Sequence, residues 1–254
     1  MRNFSRFSYR NADYRIASKD FKLVTEAIVK QREILEKFIL TNKIFLNSLE
    51  PVSPLPEDAP YIAKIMQKAG ELTDVGPMAA VAGSIAQFAA EKGAASRDGG
   101  RNRGRNKAET IVENGGDIFM ILKKELILGI HSGVETLEGK LAFRIRPEDT
   151  PLAVCSSSST MGHSLSLGDC NLATVFSKSG ALADAAATRA CNLVKKNSDI
   201  QKTLNEINSI PGILGLMIIK GDNVGMAGDL PEIISNADPD MMNKITVFAQ
   251  KSGA

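Results

Sequence analysis

The stretch ETIVENGGDIFMILK, Glu109–Lys123, decides the fold. Two apolar, β-branched runs flank Asn114, Gly115 and Gly116. Asn-Gly favours a tight hairpin because such a turn needs positive φ at its central residues. Asp117 then opens the second run. The spacing predicts paired antiparallel strands whose polar turn sits at one end of a sheet. Bare backbone N–H groups at that turn also suit contact with a ligand, and the sequence leaves both uses open.

Working outward, ELILGI, GKLAFRI, PLAVCSS and LATVFS continue the β-rich pattern to Ser177. Gly180–Lys196 and Asp199–Ser209 return to helical spacing, and PGILGLMIIKGD with NVGMAG predicts a closing hairpin. ADPDMMNKITVFAQ fits no element clearly.

Toward the N-terminus, residues 7–18 suggest one or two short strands. Phe21–Leu49 carries apolar residues at helical spacing and predicts a long amphipathic helix with a break near Asn42. After the proline-rich PVSPLPEDAP come a helix over Ala59–Gly70 and another opened by Pro77, where a missing N–H costs nothing. Helices, then strands, then helices argue for an α+β fold with helices packed on a mostly antiparallel sheet. Residues 1–254 are expected to form a single domain. Ala94–Thr110, AASRDGGRNRGRNKAET, is expected to be a flexible basic loop, either a solvated surface or a contact for phosphate or polyanion.

Composition narrows the function classes. Thirty-one Lys and Arg against 29 Asp and Glu leave a net charge of +2, which argues against nucleic acid as a partner; so do the 5% aromatics and the absence of Trp. No apolar run reaches the ~18–20 residues of a membrane span. The polar opening MRNFSRFSYRNADYR lacks the apolar core of a signal peptide. The three cysteines Cys155, Cys170 and Cys191 lack CxxC spacing. A cytoplasmic protein without a membrane partner is expected. A homo-oligomer is left open.

Three further segments have chemical potential. In TDVGPMAAVAGS, the small residues Gly76, Ala79, Ala80 and Gly83 permit close approach at a helix start, either of a phosphate or of a packed sheet. In PLAVCSSSSTMGHSLSLG, an apolar strand runs into the hydroxyls of Ser156–Thr160 and then His163. Ser157, Ser158 and Thr160 are candidates to hold phosphate oxygens. His163 is a candidate general base or a structural hydrogen-bonder, and Cys155 a nucleophile or a small buried residue. In SKSGALADAAATRACN, helical spacing puts Asp184, Thr188 and Asn192 on one face. Asp184 and Thr188 are hard oxygen donors suited to Mg²⁺, or partners in an Asp–Thr hydrogen bond.

NGGD (Asn114–Asp117), CSSSSTMGH (Cys155–His163) and ADAAAT (Ala183–Thr188), in this order, resemble the ApbE superfamily of flavin transferases, which move FMN from FAD onto a protein Thr. TDVGPMAAVAG is similar to that family's D-x-G-x-x-A-K-G segment. The resemblance covers about residues 70–195. It implies a T-fold-like α+β arrangement, FAD or FMN as cofactor, and Mg²⁺ on Asp184 and Thr188. It also implies a nucleotide pocket lined by Asn114, Gly115, Gly116, Asp117 and the Ala79–Gly83 helix start, with His163 by the reacting phosphate. The chain departs from the family where Val81 follows Ala80 in place of Lys, and where HSLSLG replaces a stretch containing Asp-Pro. It looks most similar to a smaller cytosolic branch tied to sulfide assimilation into homocysteine. That likeness implies an alternative in which Cys155 carries a persulfide or acts as nucleophile with a sulfur-pathway partner. A protein acceptor for a transferred group, and a non-catalytic binding or assembly role, are the other implied outcomes.

Overall fold

The computed structural model describes residues 2–95, 107–160 and 168–235. Its centre is an eight-stranded sheet. The strands are β1 (Ser5–Tyr9), β2 (Ala12–Ser18), β3 (Thr110–Asn114), β4 (Asp117–Ile121), β7 (Leu152–Ser157), β8 (Leu172–Ser177), β9 (Ile213–Lys220) and β10 (Asn223–Gly228), in that spatial order. Every neighbouring pair is antiparallel, as the alternating, turn-punctuated sequence implied.

One face of this sheet is covered by helices. α1 (Phe21–Thr41) is capped by the Asp20 carboxylate, which accepts from the Leu23 N–H at 3.1 Å. It stops at Asn42, whose side-chain amide donates to the Phe38 carbonyl at 2.8 Å, and α2 (Lys43–Asn47) follows. This is the expected break. α3 spans Tyr61–Thr73, shifted two to three residues from the expected Ala59–Gly70 because Pro60 acts as the N-cap. The Pro77 helix begins as a 3₁₀ turn, Pro77–Ala80, before α4 (Val81–Ala94) takes over. α5 (Gly180–Leu193) and α6 (Ile200–Asn208) complete the layer. α4 and α5 are rich in Ala and Gly, so their backbones lie close to each other and to the strands.

The opposite face is a difference from the sequence reading. β5 (Leu126–Gly129), β6 (Leu141–Ile145) and β11 (Glu232–Ser235) form a separate three-stranded sheet ordered β11-β6-β5. A second core, including Met120, Phe143, Ile145, Val154, Phe176 and Met217, fills the space between the sheets. Periodicity marks which residues are strand, but not which sheet a strand joins. That depends on where the long connection after β4 returns. β11 was not foreseen at all. ADPDMMNKITVFAQ lies wholly outside the described residues, as does most of the basic Ala94–Thr110 segment. Among the described residues, no helix is long and apolar enough to cross a membrane.

Candidate functional site

The NGGD segment forms the two-residue turn its sequence requires. Asn114 pairs with Asp117 across β3 and β4, while Gly115 and Gly116 have φ of 65° and 100°. Pairing fixes facing. Asn114 and Asp117 lie on the helix-covered face with Val112 and Phe119. Ile118 pairs with Val154 on the neighbouring strand, so Asp117 stands beside Cys155. By alternation along β7, Ala153, Cys155 and Ser157 share that face.

Helix α5 supplies the second wall. Ser179 caps it, accepting from the Leu182 N–H at 3.3 Å. Gly180 meets Gly83 of α4 so closely that a Cβ on either would lie 2.2 Å from the other's carbonyl oxygen. The two glycines let the helices cross at backbone contact. Gln87 closes the junction by accepting from the Gly180 N–H at 2.7 Å.

Asp184 sits one turn on, pointing into the crossing. Its Oδ2 accepts from the Gly83 N–H at 2.8 Å, and the Ala82 N–H also donates to it. The Asn114 amide donates to the Ala82 carbonyl at 3.2 Å, tying the turn to the start of α4. Of the alternatives for Asp184, bonding to Thr188 is not the contact formed: its carboxylate faces the start of α4. Thr188 is half-buried one turn further along α5.

Burial pushes the Asp184 carboxyl up to about 7, against the pull of the Gly83 and Ala82 N–H groups. Asp117 is raised well above the usual carboxylate range, by burial first and then by the charge of Asp184. The Ser156 N–H, 3.2 Å from Asp117 Oδ1, and the Cys155 thiol partly offset this. The Cys155 thiol is itself raised by burial and then by both carboxylates, so it stays protonated. Its Sγ lies 3.8 Å from the Gly180 carbonyl.

The hydroxyl run divides. Ser156 bonds Thr174 at 2.9 Å on the other face. Ser157 is 7% exposed, and its Oγ meets no hydrogen-bonding partner. Ser158 shares a 3.2 Å contact with Thr160 and accepts from the Thr160 N–H at 3.1 Å. Ser159 accepts from the Cys170 N–H at 3.0 Å and lies 3.2 Å from Cys191 Sγ. Cys170 is raised chiefly by its hydrogen bond with Cys191. This second cluster, Ser159, Cys170 and Cys191, was missed in the sequence, where three scattered cysteines share no motif. His163 lies outside the described residues.

The site thus gathers Asn114, Gly115, Gly116, Asp117, Gly83, Cys155, Ser157 and Asp184. Gly76 caps, and Ala79 lies in, the 3₁₀ turn that packs against α5 just before α4. The Gly76 N–H already donates to the Leu49 carbonyl at 2.8 Å, and a Cβ there would lie 1.9 Å from the Ser48 carbonyl oxygen, so its smallness serves packing against α2. The Ala79 N–H donates to the Gly76 carbonyl at 3.1 Å. Sequence reasoning also missed Gly180, the partner of Gly83, and Arg189, which pairs with Asp74 at 2.9 Å and Glu206 at 3.2 Å. No pattern within α5 marks either one; only the crossing does.

Asp117, Asp184, the half-buried Thr188 and Ser157, whose Oγ has no partner among the described residues, offer oxygen donors only. Among the described residues no group of three or more His, Cys, Asp or Glu forms a cage. A sparse oxygen set fits Mg²⁺, which keeps waters and takes substrate phosphates in its remaining positions.

Sheet, helix pair and turn together define the ApbE flavin-transferase class of fold. The Pseudomonas stutzeri flavinyl transferase ApbE superposes with a TM-score of 0.54 at 10% identity, covering 97% of this chain and 98% of that one. The ApbE protein of Thermotoga maritima superposes with a TM-score of 0.56 at 13% identity, covering 99% and 100%. The chain belongs to the family described as AbpE bacteria, which matches residues 6–209. Its relatives include UPF0280 proteins of methanogenic archaea. The one from Methanocaldococcus jannaschii is 39% identical over 219 residues, 84% of each chain. The one from Methanobrevibacter smithii is 36% identical over 215 residues, 83% of this chain and 87% of the relative.

Proposed function

We propose that this chain binds a flavin nucleotide, FAD or FMN, together with Mg²⁺ at the α4–α5 crossing. We further propose that it transfers the FMN part of FAD to a hydroxyl of a protein acceptor: the acceptor oxygen loses its proton to a base and bonds to the FMN phosphorus, while the pyrophosphate P–O bond breaks and AMP leaves. The observation that carries the reading is Asp184, a carboxylate buried at the α4–α5 crossing, whose charge reaches the second buried carboxylate, Asp117. Burying an acid in this way is costly unless a cation joins it.

In this reading Asp184 and Thr188 hold the cation, and the NGGD turn presents backbone N–H groups to the nucleotide. Gly116 suits that role, since space beside it is open: a Cβ there would meet nothing within 4 Å. Ser157 and Ser158 contribute hydroxyls to phosphate oxygens. When bound, the cation neutralises charge on the phosphates and favours cleavage between them. His163, with no geometry to place it, stays a candidate for proton transfer on its sequence position alone.

Titrating the protein with FAD in the presence of Mg²⁺ tests binding through flavin fluorescence and melting temperature. A saturable change that Asp184→Asn abolishes supports the reading; no change with wild type refutes it. Appearance of FMN on a Thr-containing acceptor peptide then tests transfer. The sulfur-carrier alternative requires a reactive Cys155 thiolate, which burial beside two acids disfavours.

A further inference from the structure

Asp117 opens β4 from the far side of the hairpin turn, on a different element from Asp184, yet both face one junction: Asp117 stands beside Cys155, whose Sγ lies 3.8 Å from the carbonyl of Gly180, one turn before Asp184. The β3–β4 and β4–β7 registers aim Asp117 at the helix layer, and the Gly83–Gly180 contact brings α5 down onto it. Asp117 is 7% exposed and Asp184 9%. Asp117 has one backbone donor, Ser156, and Asp184 has two, Gly83 and Ala82. Among the described residues no Lys or Arg pairs with either. Two ionised carboxylates cannot share a dry interface without a positive charge between them. A structural acid would be a poor choice here, since Asn keeps the acceptor without the charge.

A separate observation points to a ligand in the same space. Ser157 shares the helix-facing side of β7 with Cys155, the residue beside Asp117. Its Oγ is buried and has no partner among the described residues. An orphaned hydroxyl costs roughly 1–3 kcal/mol unless something absent from the protein itself completes it.

We propose that Asp117 is the second carboxylate ligand of the divalent cation, so that the cation bridges β4 and α5 and docks the hairpin turn onto the helix pair. This inference rests on the functional reading above and adds to it an assignment for Asp117 that differs from nucleotide contact. Cation binding then doubles as a clamp: it fixes the turn that faces the nucleotide, so cation occupancy precedes productive nucleotide binding.

The test is Mn²⁺ binding without nucleotide, counted by the electron-spin signal of the free ion, for wild type, Asp117→Asn and Asp184→Asn. Asn at 117 retains an acceptor for the Ser156 N–H, so the hairpin should keep its shape. The expected result is a loss of Mn²⁺ affinity on the order of a hundredfold in both variants, since each removes a full charge within a few ångströms of the ion. Wild-type affinity in Asp117→Asn with loss in Asp184→Asn overturns the inference and leaves the functional reading intact. Wild type that binds no Mn²⁺, or Asp184→Asn that binds it unchanged, overturns both. Should Asp117→Asn fail to fold, the anomalous-scattering position of Mn²⁺ in crystals of the wild type decides. Two Mn–oxygen bonds of about 2.1–2.2 Å, one to each of Asp117 and Asp184, support the inference, and a bond to Asp184 alone overturns it.

Discussion

The two halves of α5 bury polar groups in opposite ways. The first half carries Asp184 against Gly83 and Asp117, where charge is confined and under-compensated. The second half carries Cys191 against Ser159 and Cys170, where weakly polar groups satisfy one another: Ser159 meets both cysteines, and Cys191 Sγ lies 4.0 Å from the Cys170 carbonyl. Both regions are buried and both join the helix to the hydroxyl-bearing β7 segment. Burial alone therefore does not distinguish them. What distinguishes them is whether the buried groups are complete without a further partner, and only the Asp184 end is left wanting one.

The largest effect is expected where that end is built. In Gly83→Val the new Cβ would lie 2.2 Å from the Gly180 carbonyl oxygen and 2.9 Å from Asp184 Cβ, and backbone cannot yield as a side chain can. A loss of about 3 kcal/mol or more in urea unfolding is expected, together with loss of cation and flavin binding. A stable Gly83→Val protein would mean that the helices are not held at backbone contact.

The next effect separates the two ends by pH. The Asp184 carboxyl is raised from 3.8 to about 7 on folding, so the folded state holds its proton more tightly than the unfolded state does. This contribution is fully present below about pH 4 and is lost as pH rises through about 7. Cation-free protein should lose on the order of 2–4 kcal/mol of stability between pH 4 and pH 8, with Mg²⁺ restoring much of it at the upper end. Asp184→Asn should make the profile shallower, leaving the slope that the buried Asp117 contributes. The thiol end adds no slope over this window, because Cys170 is raised from an already high value and stays protonated.

These two expectations show what the sequence could and could not disclose. The NGGD hairpin, the Asn42 break and the α5 face with Asp184 were legible because each depends on residues near one another in the chain. The Gly83–Gly180 crossing joins residues 97 positions apart, and an isolated Gly in an Ala-rich helix looks the same whether it packs or binds. Gly76 shows the reverse. It shares the small-residue pattern of Gly83, but its neighbour is the chain at Ser48, where its smallness serves packing. Thiol partners were illegible for a related reason: Cys170, in the connection before β8, meets Cys191 of α5 with no spacing rule to link them.

A smaller effect is expected at the thiol end. Cys191→Ala removes one partner of Ser159, which still accepts from the Cys170 N–H. A cost of about 1–2 kcal/mol is expected, with Mn²⁺ affinity unchanged. All three cysteines are buried, so alkylation of native protein should be slow at each and rapid after denaturation. Loss of cation binding in Cys191→Ala would break the contrast, by showing that the two halves of α5 act as one site.

The smallest effect on stability, and the most discriminating, is expected at Ser157. Ser157→Ala deletes a hydroxyl that is buried without a partner. If nothing ever completes that hydroxyl, its removal should stabilise the protein by up to about 1 kcal/mol, with no effect on ligands. If phosphate completes it, the same variant should be as stable as wild type or slightly more so without ligand, yet bind FAD with Mg²⁺ several-fold more weakly. The signs of the two changes then oppose each other, which a packing role cannot produce: a residue that only packs would lower stability and affinity together. Measuring the melting temperature of Ser157→Ala with and without FAD and Mg²⁺ thus asks of one atom whether a group incomplete in the folded chain is completed by what binds there.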